Sequence, residues 1–317
     1  MSSLIEQAAQ RLEQLRQSGV SLPDMPLTPM APLPSATSAA RRMQSIVDAG
    51  VAIPSQQTPA PAPAQSQRVE LDLDALALAN IVTPSAPRSL VADQFRVIKR
   101  PLISNAMGKG TLKPAHANLI MVTSAVAGEG KSFTSVNLAI SIAAELDHTV
   151  MLVDADVARP SLPRMLGVPE GPGLLDLLSG SADMADVLLK TNIDKLTLLR
   201  SGTPHARATE LLASDAMRQL LDDMASRYAD RIIIFDSPPL LLTTESRVLA
   251  MNMGQIVVVV QAGKTLQADV QRALSTIEAC PLRLLLLNQA RADSQEAAGL
   301  GYGYGYGYGY GGAKRGT

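Results

Sequence analysis

Residues 118–133 read NLIMVTSAVAGEGKSF: an apolar run, 119–122, enters a loop holding Gly128 and Gly130, and Lys131 and Ser132 then open a helix-like segment, 135–146. The order is strand, glycine loop, helix. Glycines let successive backbone N–H groups close on phosphate oxygens, and a helix start adds partial positive charge at the same place. A lysine there reaches the outer phosphates of a nucleotide, and a Ser hydroxyl ligates Mg2+. Ala127, Gly128, Glu129, Gly130, Lys131, Ser132 and Phe133 are therefore expected to hold ATP and Mg2+. The usual spacing G-x-x-x-x-G-K-[ST] carries Ala125 in place of its first glycine, so the loop needs support from elsewhere in the chain.

Two later apolar runs supply that support. Residues 151–160, MLVDADVARP, leave a strand through Asp154 and Asp156, two carboxylates one residue apart that can point the same way. One can orient Mg2+ while the other accepts a proton from an attacking hydroxyl. Residues 232–239, IIIFDSPP, bring a third carboxylate, Asp236, to a strand end. Each alone reads equally well as a helix cap; three together beside a Gly-x-Gly-Lys-Ser loop do not. Asn288 closes the last strand in LLLLNQAR, where it is either a hydrogen-bonding group for a base or an ordinary turn asparagine. His116, His148 and His205 show no ligand spacing and read as structural.

Outward from the loop, strand-like runs recur at 119–122, 150–153, 196–199, 232–235, 256–260 and 284–287, with helical patterns at 135–146, 208–228, 246–251 and 266–279. Continuous apolar strands separated by helices predict an α/β fold: a doubly wound, mostly parallel sheet with helices on both faces. Ligands of such sheets lie at the carboxyl ends of the strands, where all three aspartates fall. Composition agrees: 46% of the 317 residues are hydrophobic, enough for a sizeable core. A net charge of -1 argues against a nucleic-acid or anionic-membrane binder, and one cysteine, Cys280, excludes an internal disulfide framework. With no basic-then-apolar leader and no apolar run near bilayer length, a cytoplasmic protein recruited to the membrane only through a partner is expected.

The flanks are different in kind. Ser3 and Glu6 form a capping-box pattern, and Leu4, Ile5, Ala8, Leu12 and Leu15 share one face of a helix over 1–19, suited either to its own domain or to a partner. Residues 20–87, with 11 of the 21 prolines, read as a linker broken by short helical pieces near 40–48 and 71–80. The phosphate-loop domain is placed at 88–292. At its start, LVADQFRVIKRPLI, residues 90–103, reads as a helix with Leu90, Phe95, Ile98 and Leu102 inward and Asp93, Arg96, Lys99 and Arg100 outward, as a solvated face or a subunit contact. Residues 293–317 are a tail in which 301–312, GYGYGYGYGYGG, hold five of six tyrosines: Tyr302, Tyr304, Tyr306, Tyr308 and Tyr310. Alternate glycines carry an entropy cost that leaves no helix or core explanation for it, and an extended connection lets the tail reach a neighbour's nucleotide site.

The loop AVAGEGKS, the stretches DADVARP and IIFDSPP and the terminal tyrosine cluster together resemble the bacterial tyrosine kinases that regulate capsule and exopolysaccharide export, built on the fold of partition and septum-positioning ATPases. The likeness spans roughly residues 90–312 and is nearest to the stand-alone, exosortase-associated autokinase type, which DQFRVIKRPL also resembles. The resemblance implies that Lys131 and Ser132 hold ATP and Mg2+, that Asp156 and Asp236 organise the metal with Ser132, and that Asp154 is the base for a tyrosine hydroxyl. It also implies a ring-like homo-oligomer, joined through Arg96 and Arg100, that phosphorylates tail tyrosines in trans. The implied partners are a membrane chain-length (polysaccharide co-polymerase) protein and a cognate tyrosine phosphatase. Asp93 stands where the family commonly has glutamate, and Lys99 near an expected arginine. Ala125 and Val126 occupy the place of the extra lysine of dimeric partition ATPases, which favours a kinase over a positioning switch.

Overall fold

The computed structural model describes residues 67–86, 88–227 and 230–290. The expected helix over 1–19, the piece near 40–48 and the tail tyrosines lie outside the described residues. The strands are β1 (Gln67–Val69), β2 (Leu119–Ser124), β3 (Thr149–Asp154), β4 (Leu188–Thr191), β5 (Leu196–Leu199), β6 (Arg231–Asp236), β7 (Gln255–Gln261) and β8 (Leu282–Asn288). They form one sheet in the order β1-β4-β5-β3-β6-β2-β7-β8. Every neighbouring pair is parallel except β4 with β5.

The six apolar runs of the sequence are all strands. β1 and β4, with sequences QRV and LLKT, carry no such run, since both are short and only partly buried. The central strands are apolar on both sides because both faces are covered. On one face Ile120, Val122, Ile232 and Ile234 meet helix α1 (Leu73–Leu78), α2 (Leu90–Ala106), α3 (Lys131–Ala143) and α4 (Leu162–Leu166). On the other, Leu119, Met121, Ile233 and Phe235 meet α5 (Leu174–Ser179), α7 (Ala208–Leu212), α8 (Asp215–Arg227), α9 (Glu245–Ala250) and α10 (Gln267–Ser275). A short α6 (Met184–Val187) leads into β4. Each of these buried aliphatic side chains contributes about 1.5–3 kcal/mol.

Three readings need correction. Within the stretch 20–87, residues 67–86 are folded onto the domain and the helical piece expected near 71–80 is α1: Leu71, Leu76, Ile81 and Val82 are buried, and the Val82 N–H donates to Asn137 Oδ1 at 2.7 Å. The helix expected over 208–228 is two helices, broken where the Ser214 hydroxyl accepts from Met217 N at 3.2 Å and starts α8. In α2 the charged face is not wholly outward. Lys99 is buried, donating to Ser141 O at 2.5 Å and pairing with Glu145 at 2.7 Å, while Leu90 is 73% exposed. Phe95 and Leu102 do face the core.

Candidate nucleotide site

The sheet register assembles the site. β6 lies between β2 and β3, and Asp236 is the Cα partner of both Val122 and Asp154. The loop leaving β2 and the two carboxylates therefore share one sheet edge. The chain turns into α3 through Gly128 (φ 87°) and Gly130 (φ 92°), a left-handed backbone that favours glycine. Gly130 is also needed for space: a Cβ there would lie 2.1 Å from Asn288 Nδ2.

The loop is shaped from behind by groups the sequence had aimed at nucleotide. Glu129 is buried, and its carboxylate accepts from Val126 N (2.7 Å), from Gln261 N (3.4 Å) and from the Thr265 hydroxyl. Its side chain is thus spent on the loop and on the turn after β7. Asn288 Nδ2 donates to Glu129 O at 2.9 Å and Gln289 Nε2 to Gly128 O at 3.4 Å, so Asn288 braces the loop instead of sitting in an idle turn. Phe133, in the first turn of α3, meets Phe95 of α2 edge to face, with ring centroids 6.5 Å apart.

In front of the loop the polar groups converge. Lys131 Nζ donates to Asp156 Oδ2 at 2.8 Å. The Ser161 hydroxyl reaches Ser132 Oγ at 2.7 Å and Asp236 Oδ2 at 3.4 Å, and Ser135 Oγ donates to Asp236 Oδ1 at 3.1 Å. Ser161 belongs to no recognisable motif, and only its place just after DADVARP hints at it. Asp154 is fully buried and accepts from Asp156 N at 3.3 Å and Leu162 N at 3.1 Å. Burial, and then the neighbouring Asp236 charge, push its carboxyl up to about 7. Burial raises Asp236 as well, against the opposing pull of Lys131.

The oxygen donors Ser132, Asp236 and Asp156 suit Mg2+, which binds through one or two carboxylates and keeps waters and phosphate oxygens as its remaining ligands. Among the described residues no cluster of three His, Cys, Asp or Glu side chains offers a more elaborate metal centre. The histidines stand apart from this edge chemistry: His116 faces Asp222 at 3.3 Å and His205 Nδ1 accepts from Arg207 N. Arg96 and Arg100 lie outward on α2, the first beside Asp93 and the second 3.9 Å from Glu145. No helix among the described residues is long and apolar enough to cross a membrane.

A family model described as "ParA: NUBPL iron-transfer P-loop NTPase" matches residues 115–287. The tyrosine-protein kinase YwqD of Bacillus subtilis (strain 168) is 29% identical over 206 residues, covering 65% of this chain and 83% of that kinase. The tyrosine-protein kinase CpsD of Streptococcus pneumoniae is 32% identical over 161 residues, 50% of this chain and 70% of CpsD. Three further curated kinases that match are much longer, and the chain spans 21–25% of their length. Among solved structures, the chimerical protein CapA2B2 superposes with a TM-score of 0.58 at 26% identity, over 71% of this chain and 92% of that one.

Proposed function

The chain belongs to the ParA-type P-loop NTPases and, within them, to the bacterial tyrosine-protein kinases, and from that premise we propose that it is an ATP-dependent autokinase acting on its own tail tyrosines. In this reading the loop 127–133 and Lys131 hold the triphosphate, and Lys131 exchanges its Asp156 partner for phosphate oxygens. Ser132, Asp156 and Asp236 would hold Mg2+, which when bound would neutralise charge on the transferring group. A tyrosine oxygen bonds to the γ-phosphorus as the bond to the β–γ bridging oxygen breaks, ADP leaves, and the hydroxyl proton passes to Asp154. Positioning and electrostatics supply most of the acceleration in such transfers.

The observation that carries this reading is the convergence of Lys131, Asp154, Asp156 and Asp236 on one sheet edge, in a chain that also carries five alternating tyrosines. The tyrosines acted on are Tyr302, Tyr304, Tyr306, Tyr308 and Tyr310 of a neighbouring subunit, in a homo-oligomer whose contacts include Arg96 and Arg100. The chain works in the cytoplasm, drawn to the membrane by a chain-length partner, with a cognate phosphatase reversing the modification, and so regulates exopolysaccharide export. Labelled ATP tests the reaction: label on tail tyrosines supports a kinase. Free phosphate without labelled protein would instead mark a partition-type ATPase switch, the reading that the ParA family match alone would favour. Neither product would leave a scaffold.

A further inference from the structure

The two edges of the sheet are finished differently. β1 ends it with three residues, with Arg68 and Glu70 paired at 3.3 Å, a short charged edge of the kind that resists further pairing. β8 ends it with seven, LRLLLLN, whose single charge is Arg283. Among the described residues no strand pairs with its outer side.

β8 also has one packed face and one open one. Leu284 and Leu286 pack against the core on the α2–α3 face. Leu285, the register partner of Val258, and Leu287, the partner of Val260, point to the other face and are 58% and 59% exposed. On that face Ala273 and Ile277 cover Ile256 and Val258 of β7, and the cover stops there. A long apolar edge of this kind is a template for an added strand.

We propose that this edge is the docking site of the chain's own Gly–Tyr repeat, residues 301–311, laid antiparallel on β8. Three observations select this occupant. The repeat has a period of two, so as a strand it puts every tyrosine on one face and every glycine on the other. That asymmetry matches the edge: glycines need no room beside the packed Leu284 and Leu286, and tyrosines cover the open Leu285 and Leu287. The repeat also follows β8 directly in the chain, with Tyr302 fourteen positions after Asn288, enough to reverse direction and return antiparallel.

One register satisfies all of it: Tyr302 opposite Leu287, Tyr304 opposite Leu285, and Tyr306 opposite Arg283, two aromatic–aliphatic pairs and a ring beside a guanidinium. The alternate glycines keep such a strand weak, because each loses much backbone freedom on docking. The tail can therefore leave β8 for a neighbour's phosphate site. Given the kinase reading, the modified tail stays off β8 until it is dephosphorylated, since a phosphate of about -1.5 to -2 charges does not settle on leucine.

Amide hydrogen exchange of the full chain, phosphatase-treated and free of nucleotide, tests the docking independently of any kinase activity. The β8 amides that do not bond β7 are expected to exchange about tenfold or more slowly than in a full-length variant with all five tail tyrosines changed to serine, with β7 unchanged. Equal rates in the two proteins would overturn the proposal. Protection that rises with protein concentration would also overturn it, by assigning the edge to a second copy. If the kinase reading fails but the docking is right, the protection persists and only its loss on incubation with ATP and Mg2+ is missing.

Discussion

A lysine–carboxylate pair stands at each end of helix α3, one in its first turn and one just past its last residue, and the two pairs do different work. At its start, Lys131 holds Asp156 at 2.8 Å beside a glycine loop; near its end, Glu145 holds Lys99 of α2 at 2.7 Å. The chemistry of the contacts is the same. What differs is the company: Lys131 stands among Asp154, Asp236 and Ser132 with the glycine loop next to it, whereas Lys99 is also capped by Ser141 O and locks α2 onto α3. A buried ion pair is thus a site or a rivet according to whether its lysine has an alternative partner to move to.

The sharpest way to break the comparison is to remove each lysine in turn. Lys131→Met is expected to lower tyrosine labelling by about a hundredfold to a thousandfold or more and, because it leaves the buried Asp156 without its lysine, to lower the melting temperature as well, measured by labelled ATP and by thermal unfolding. Lys99→Met removes the nearer cation from Glu145, which is partly exposed and keeps Arg100 at 3.9 Å, and is expected to cost about 1–3 kcal/mol of stability, a drop on the order of 5 °C in melting temperature. Adding Glu145→Gln should recover part of that loss, because a neutral amide removes the charge that would then face only Arg100.

Acid titration sharpens the same contrast. The hydrogen bond from Lys99 holds the Glu145 carboxyl below its ordinary 4.5. A carboxyl depressed in the folded state adds stability that is fully present above 4.5 and is lost as pH falls through the folded value. Acid unfolding below pH 4.5 should therefore be shallower in Lys99→Met than in the unaltered chain, as followed by circular dichroism. Smaller effects are expected behind the loop: Asn288→Ala removes one brace of the Glu129 carbonyl, worth about 1 kcal/mol, or roughly fivefold in nucleotide affinity. Smallest on stability is Arg96→Glu with Arg100→Glu, two exposed changes expected within about 0.5 kcal/mol, whose effect should show in oligomer size by light scattering.

The same comparison explains what could be read without coordinates. The central strands were legible because burial on both faces forces continuous apolar runs, and the shared sheet edge of Lys131, Asp154, Asp156 and Asp236 because each follows the carboxyl end of such a run. β1 and β4 were not, since a short, partly solvated strand leaves no such run. Lys99 misled because a charged residue on a helix is usually solvated, and only the approach of Ser141 and Glu145 from another helix reveals otherwise. The partners of Glu129 and Asn288 were not legible, because they come from segments distant in sequence: the turn after β7 donates to Glu129, and Asn288, at the end of β8, donates to the loop.

The most direct test of the central claim is to incubate the full chain and its Lys131→Met variant with labelled ATP and Mg2+ and map the label by mass spectrometry. The account predicts phosphate on tyrosines within 301–312 of the unaltered chain and none on a variant that circular dichroism shows to be folded. Tail labelling that survives loss of Lys131, or ATP turnover that leaves every tyrosine unmodified, would contradict it.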